Sequence, residues 1–509
     1  VCDYTYENLP TIGYVRRYGG LVQTKSSDIF AWQFLCENVK YFSELEYAFV
    51  KVDESGEYDA TLKYSTVDKD YSERESICMH IAADWVISDL RPWVQGGFAT
   101  MREAADHIVM TKNPGWPEMN RFKTNGAALE DPDYVEWLCG KYLPSMHTDE
   151  PIQTFVAVFG KGELRTRKKL LLNDFRTISG VSLARKISGN MADMKFNDSF
   201  LDFAGVGWSA LGMSEKTTWS AFGLPFVYGN FHRFIRSKWM NGGIWFHSDA
   251  KRHDSMFKRL LWDGVYQVRR AFSESEFRGN TEKFFDNNHV LKQCAPMVLS
   301  NGRVVYRISP GQDSGQVSTI VDNTLSNKLR LDAAFISLFE KENGYWPSKS
   351  HRDATYRDGH IGDDAFGCFV ESGNITLKNI QIEIYNIFRC FVEQHEVESW
   401  DKVEFCSQST GFDRDYPLPQ LNAEKLRASF LIGNKSDGGN VVDSWRRAMS
   451  LRMNAYPIKS VFEMIDEYVN WLYRKFDSVM SSDQEWEVCK HAWKTERELE
   501  ILWKGADAA

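Results

Sequence analysis

The sequence predicts an α+β protein, and three observations carry this. Up to about residue 244, short strand-like and helix-like stretches are mixed. From about 244 to 410, strand-like segments bearing acids alternate with longer apolar-periodic stretches. From about 421 onward the pattern is helical. The chain has 509 residues, enough core for two or three domains. With 43% hydrophobic and 26% charged residues it has a folded, soluble composition, which excludes disordered and collagen-like classes. Aromatics at 14% suit broad packed or stacking surfaces. No internal repeat or low-complexity linker is present, so one large body is expected.

Ile244 to Ser248 reads as a strand leading into Asp249. Asp254 to Phe272 reads as a helix, with Met256, Phe257, Leu260, Leu261 and Val265 near helical spacing. Thr319 to Ala333 and Leu377 to Gln394 also read as helices, and Val403 to Cys406 as a strand. Behind Pro457, the residues Val461, Phe462, Ile465, Tyr468, Val469, Leu472 and Phe476 form a stripe at i, i+3/i+4 spacing. That stripe is expected to be core.

No run of 18 apolar residues occurs, so no membrane-spanning helix is expected. No basic-then-apolar leader is visible. The chain starts on Val1, as a piece released from a longer precursor or a shortened chain would. The nine cysteines are scattered and include no C-x-x-C pair, which points away from zinc ribbons and disulfide frameworks and toward a reducing compartment. The net charge of −9 argues against a protein that coats nucleic acid, but leaves room for a local basic channel.

Five segments carry chemistry. "FHSDAKRHDSMF" holds Asp249 and Asp254; "HIGDDAF" holds Asp363 and Asp364. Adjacent acids repel each other and resist burial, so water, arginine or a metal ion must offset the cost. Either pair alone fits a solvated loop as well, and Gly-Asp-Asp is also a good turn tripeptide. "DSGQVSTIVDNT" holds Ser314, Gly315, Thr319 and Asn323, spaced S-G-x3-T-x3-N. If a helix has begun there, hydroxyl and amide groups share one face and could bond a sugar; a polar helix face turned to water is the plainer alternative. "KGELRTRKKLLLNDFR" carries Lys161, Arg165, Arg167, Lys168, Lys169 and Arg176 against Glu163 and Asp174, a local +4 suited to polyphosphate. A solvated basic loop is the usual fate of such runs. "TKNPGWPEM" holds Asn113, Pro114 and Gly115 in a rigid loop that could lie against an extended nucleic-acid strand or be turn chemistry alone.

In this order, these segments resemble the palm-domain RNA-dependent RNA polymerases of positive-strand RNA viruses, in the picornavirus-like supergroup. "KGELR…R" is similar to the family's fingertip motif, with Gly162 where an acid is usual. "SDAKRHD", "SGQVSTIVDN" and "GDD" resemble its first, second and third palm motifs. "VEFCSQ" resembles the primer-grip hairpin, with Phe405 and Cys406, and "NPGWP" the template loop of the fingers. "SGQVSTIVDNT", "PGWPEM" and "VGWSALGMSEKTTWSAFG" look most like the potyvirus and astrovirus branch. The resemblance spans roughly residues 110 to 410.

The resemblance implies a right-hand polymerase, with an antiparallel palm sheet flanked by helices and a helical thumb. The layout expected is fingers over 1–243 and 258–308, palm over 244–257 and 309–410, and thumb over 411–509. Asp249, Asp363 and Asp364 are then the catalytic acids and hold two Mg²⁺ ions, with Mn²⁺ able to substitute. Asp254, Ser314, Gly315, Thr319 and Asn323 recognise the nucleotide and its 2′-hydroxyl, which argues against a reverse transcriptase. Lys161, Arg165, Lys169 and Arg176 bind triphosphate. Lys402 is a candidate general acid, with His395 as its alternative. The expected partners are an RNA template, a primer–product duplex, nucleoside triphosphates, and a protein primer with other viral replication proteins. The expected location is the host cytoplasm, at membrane-associated replication complexes reached through partners. Two departures bear on structure. The polar "TYRDGH" before GDD suggests a short or bent hairpin, and Gly162 puts a fingertip salt bridge in doubt. The rival from another class is a non-catalytic RNA-binding scaffold that kept the fold.

Overall fold

Alternation along the strand Ile244–Ala250 sets up the central sheet. Trp245, His247 and Asp249 share one face, and Phe246 and Ala250 share the other. In the computed structural model, which describes residues 9–15, 25–50, 52–211, 230–434, 440–481, 486 and 494–504, this strand is interior to a four-stranded antiparallel sheet. The order is Tyr356–Ile361, Asp364–Phe369, Ile244–Ala250, Val392–Val397. Phe246, Ala250, Phe369 and Val392 bury one face in the main core, with the helices Glu73–Leu90, Arg259–Ser273, Thr319–Asn343 and Leu377–Phe388. On the other face Trp245, Phe366 and Cys368 pack against Phe231, Phe234, Val403 and Phe405. Apolar burial thus fixes the register, because a one-residue slip would turn both faces inside out.

A second, five-stranded sheet joins Thr11–Tyr14, Arg303–Val305, Met297–Val298, Val156–Gly160 and Thr177–Val181. The C-terminal helices Val441–Ala455 and Lys459–Met480 pack on each other. Val461, Phe462, Ile465, Tyr468, Val469 and Leu472 of the expected stripe are buried, and Phe476 packs against that core. The helix Ile29–Glu37 inserts Ala31, Phe34 and Leu35 into the same core, although it lies some 400 residues away in sequence. Among the described residues no helix is long and apolar enough to cross a membrane.

Four element expectations are corrected. The segment from Asp254 begins as a 3-10 turn, His253–Met256, and the α-helix runs only from Arg259 to Ser273. The helix from Leu377 stops at Phe388, where Arg389 turns left-handed, and Val392–Val397 pairs with Ile244–Ala250 instead. Ladder bonds at the sheet's edge outweigh continuation of the helix there. Val403–Cys406 is not a strand: Phe405 and Gln408 form a single bridge across a turn at Cys406 and Ser407. The hairpin before GDD is neither short nor bent, since six consecutive pairs join Tyr356–Ile361 to Asp364–Phe369. Its polar residues are tolerated because Lys328 bonds Asp358 at 2.7 Å and His360 bonds the same carboxylate at 2.9 Å. The Thr319 helix is present and continues to Asn343. Of "VGWSALGMSEKTTWSAFG", residues 212–223 lie outside the described residues.

Candidate active site

The sheet register sets Asp249 directly opposite Asp364. Opposed residues on antiparallel strands hold their Cβ atoms about 4.5–5.5 Å apart on one face. Ile361 pairs with Asp364, leaving Gly362 and Asp363 as a two-residue turn. Gly362 has φ +60°, which glycine adopts without strain and which suits a tight turn between twisted strands. Asp249 and Asp363 are open to solvent, and Asp364 is half-buried.

The acids repel one another. Although Asp249 reaches solvent, the surrounding walls partly desolvate its carboxyl and the Asp363 charge adds to the effect, so its pKa is raised. Burial, then Asp363 and Asp249, push Asp364 up to about 8. Lys169 works the other way on Asp249. Among the described residues no three histidine, cysteine, aspartate or glutamate side chains gather closely enough to hold an ion by themselves. Hard oxygen donors short of positive charge still fit Mg²⁺, which takes one or two carboxylates and completes its shell with phosphate and water.

Beside these acids, Asn323 Nδ2 donates to Asp254 Oδ1 at 3.0 Å. Burial pushes the Asp254 carboxyl up to about 6, against the Asn323 bond and the Arg176 charge. Asn323 Oδ1 is buried without a hydrogen-bond partner among the described residues, an acceptor suited to a ligand hydroxyl. Ser314 is exposed, and its Oγ accepts from the Ser179 N–H at 2.9 Å. Gly315 lies so near that strand that a Cβ would come within 1.9 Å of the Ser179 carbonyl oxygen. Thr319 opens the helix four residues ahead of Asn323, on the same face, but its Oγ1 is committed to the carbonyls of Asp313 at 2.7 Å and Gln316 at 3.0 Å.

In the basic segment Glu163 gathers three cations: Lys161 at 3.1 Å, Arg165 at 3.4 Å and Arg176 at 3.6 Å. The doubt attached to Gly162 is therefore met by Glu163. Arg165 also pairs with Asp174 at 2.7 Å, whereas Lys169 and Arg176 are exposed. The loop at Asn113 is fastened from two sides: Asn113 Oδ1 accepts from Gly115 N–H at 2.8 Å, and Lys186 donates to the Asn113 carbonyl at 3.0 Å. Its Pro114 and Gly115 are buried. Phe405 packs edge-on against Phe366 at 4.7 Å, and the Cys406 thiol, raised mainly by burial, stands beside Asp364. Lys402 is 62% exposed and lies 3.9 Å from Asp401. His395 stands opposite His247, two residues from Asp249.

The sequence reading missed Thr324, Asn327 and Arg330, which fasten the acidic turn from the helix Thr319–Asn343. It also missed the buried cluster of Lys328, Asp332 and Asp358. A signal existed. The run from Asp322 to Asp332 is polar at positions that fall on every side of a helix, as in a helix whose polar groups all find partners inside.

A four-stranded antiparallel sheet with acids at one hairpin tip, packed against helices and joined to a C-terminal helical unit, has the architecture of the right-hand polymerase fold. The family model described as Viral RNA-dependent RNA polymerase matches residues 33–356, and the chain belongs to that family. The genome polyprotein of Plum pox potyvirus (strain Rankovic) is 22% identical over 312 residues, 61% of this chain and 9% of that polyprotein. The genome polyprotein of Peanut mottle virus (strain M) is 29% identical over 165 residues, 32% of this chain and 5% of the polyprotein. The chain thus spans less than a tenth of the length of these relatives. The solved Sicinivirus 3Dpol RNA dependent RNA polymerase has the same fold, with a TM-score of 0.70 and 15% identity over 95% of this chain and 98% of that one. The family match ends at Tyr356, so it is the strand pairing that brings the Gly362–Asp364 turn to Asp249.

Proposed function

We propose that this chain copies an RNA template into RNA. The 3′-oxygen of the growing strand attacks the α-phosphorus of a nucleoside triphosphate, the bond to the β-phosphate oxygen breaks, and pyrophosphate departs. Asp249 and Asp363, with Asp364, are the residues that hold two divalent cations, Mg²⁺ or in its place Mn²⁺. When bound, the pair supplies the positive charge that acidifies the 3′-hydroxyl and neutralises the departing pyrophosphate. Lys169 and Arg176, exposed near the acids, steady the triphosphate, and Lys161 and Arg165 hold that basic wall in shape. Asp254 and Asn323 receive the ribose hydroxyl. The division into fingers, palm and thumb goes with this reading. So do the partners: template, primer–product duplex, a protein primer and other replication proteins in the host cytoplasm.

The observation that carries the reading is the pairing of Asp249 with Asp364 beside the Asp363 turn. The test is incorporation of labelled UMP on poly(A) with Mg²⁺ or Mn²⁺. The unsubstituted chain incorporates, and Asp249→Ala and Asp363→Ala do not. Equal incorporation by Asp363→Ala rejects the assignment, and no incorporation by the unsubstituted chain favours the scaffold reading.

A further inference from the structure

A two-residue turn at a hairpin tip is ordinarily the loosest part of a sheet, yet here it carries Asp363. Its backbone is tied down from one side. Asn327 Nδ2 donates to the carbonyl of Gly362 and to that of Asp364, both at 3.2 Å. These two carbonyls flank Asp363. The Gly362 N–H donates to Thr324 Oγ1 at 2.9 Å. Thr324 and Asn327 lie three residues apart on the helix Thr319–Asn343, hence on one face.

The clamp is itself oriented. Arg330, fully buried, donates through Nη2 to Asn327 Oδ1, so the amide must turn its NH₂ toward the turn. The other terminal nitrogen, Nη1, lies 3.1 Å from His253 Nδ1. A guanidinium only donates, so Nδ1 accepts and the His253 proton sits on Nε2, 3.0 Å from Ser326 Oγ. His253 precedes Asp254 in the chain. One buried hydrogen-bonded line therefore runs from His253, in the 3-10 turn bearing Asp254, through Arg330 and Asn327, to the turn bearing Asp363.

We infer that Asn327 is a positioning residue: by holding the Gly362 and Asp364 carbonyls it fixes the Asp363 carboxylate at the distance from Asp249 that a shared pair of divalent cations needs. This rests on the proposed function. Thr324 assists from the N–H side, and Arg330 keeps the amide from flipping. Residues that orient ligands in this way typically change metal affinity or activity by about 10- to 100-fold when lost. The plainer alternative is that Asn327 only joins helix to sheet, in which case its loss lowers stability and leaves the metal constants alone.

The test uses the full chain bound to a template–primer that ends in a 3′-deoxynucleotide, with the matching triphosphate. Mn²⁺ affinity is read by electron paramagnetic resonance, and turnover is measured separately on an extendable primer. Asn327→Leu is expected to weaken Mn²⁺ binding and lower kcat, each by about tenfold or more, with template–primer KM unchanged within about twofold. Thr324→Val, which keeps size and removes the acceptor, shifts both in the same direction and carries the test if Asn327→Leu does not fold. Unchanged Mn²⁺ affinity and kcat, or a lower melting temperature alone, overturns the inference. Asp363→Asn is the reference. If it weakens Mn²⁺ binding and the Asn327 and Thr324 variants do not, only the positioning role falls. If Asp363→Asn also leaves Mn²⁺ binding unchanged, the two-cation reading falls with it.

Discussion

Asn323 shows how a single amide can sort sugars. Its Nδ2 is spent on Asp254, and its buried Oδ1 has no partner among the described residues. A 2′-hydroxyl donating there would satisfy that atom; a deoxyribose would leave it bare. An unsatisfied buried polar group costs about 1–3 kcal/mol, roughly a factor of 5 to 150, centred near the 10- to 100-fold range. Asn323→Leu is therefore expected to reduce the preference for UTP over dUTP by about 10- to 100-fold, mostly through lost kcat/KM for UTP. Single-nucleotide incorporation with each substrate measures this. An unchanged preference removes Asn323 from sugar selection. The spacing of Asn323 was legible in the chain, but its bond to Asp254 was not, because 69 residues separate the two.

Elements behave according to what lies on both sides of them. The hairpin Tyr356–Phe369 looks too polar for a buried sheet when read alone, and the expectation of a bent strand followed from that. Lys328 and His360 reverse it. Burial works against the Asp358 charge, but these neighbours hold its carboxyl below the usual carboxylate range. At the helix Leu183–Phe200 the balance falls the other way. Glu118 Oε1 accepts from Ala184 N–H at 3.3 Å and from Tyr134 hydroxyl at 3.1 Å, while burial pushes its carboxyl from an ordinary 4.5 up to about 7. Between those values the folded chain keeps a proton that the unfolded chain has lost. Stability contributed here is thus present in mild acid and declines as pH rises toward 7, by at most about 1.4 kcal/mol per pH unit. Glu118→Gln should abolish that decline, so its melting temperature gains on the unsubstituted chain as the pH goes from about 5 to about 8. Parallel pH–melting curves for the two would show that Glu118 is not the group responsible.

At the scale of the whole molecule, the N-terminal region closes the hand onto the C-terminal helices. Asp28 caps the helix Ile29–Glu37, accepting from Phe30 and Ala31 N–H groups at 2.9 Å, and Arg447 donates to its carboxylate. Phe34 is fully buried among Tyr41, Phe430, Tyr468 and Trp471. Phe34→Ala should cost about 3–5 kcal/mol there. Hydrogen exchange is then expected to quicken in Val441–Ala455 and Lys459–Met480, while the helix Thr319–Asn343 stays protected. Equal quickening in both would mean that the two cores unfold as one unit.

The sequence by itself determined the α+β class, the apolar stripe of the C-terminal helix and the acids, because these depend on local periodicity and on residue types that chemistry demands. It also placed Asp249, Asp254, Asn323 and Asp363 in an order that resembles one family. Only the tertiary structure decided that Asp249 faces Asp364, that Leu377–Gln394 is a helix followed by a strand, and that Asn327 grips the acidic turn. Those outcomes depend on strand register and on buried polar groups finding partners far away in the chain, and neither leaves a periodic trace in the residues themselves.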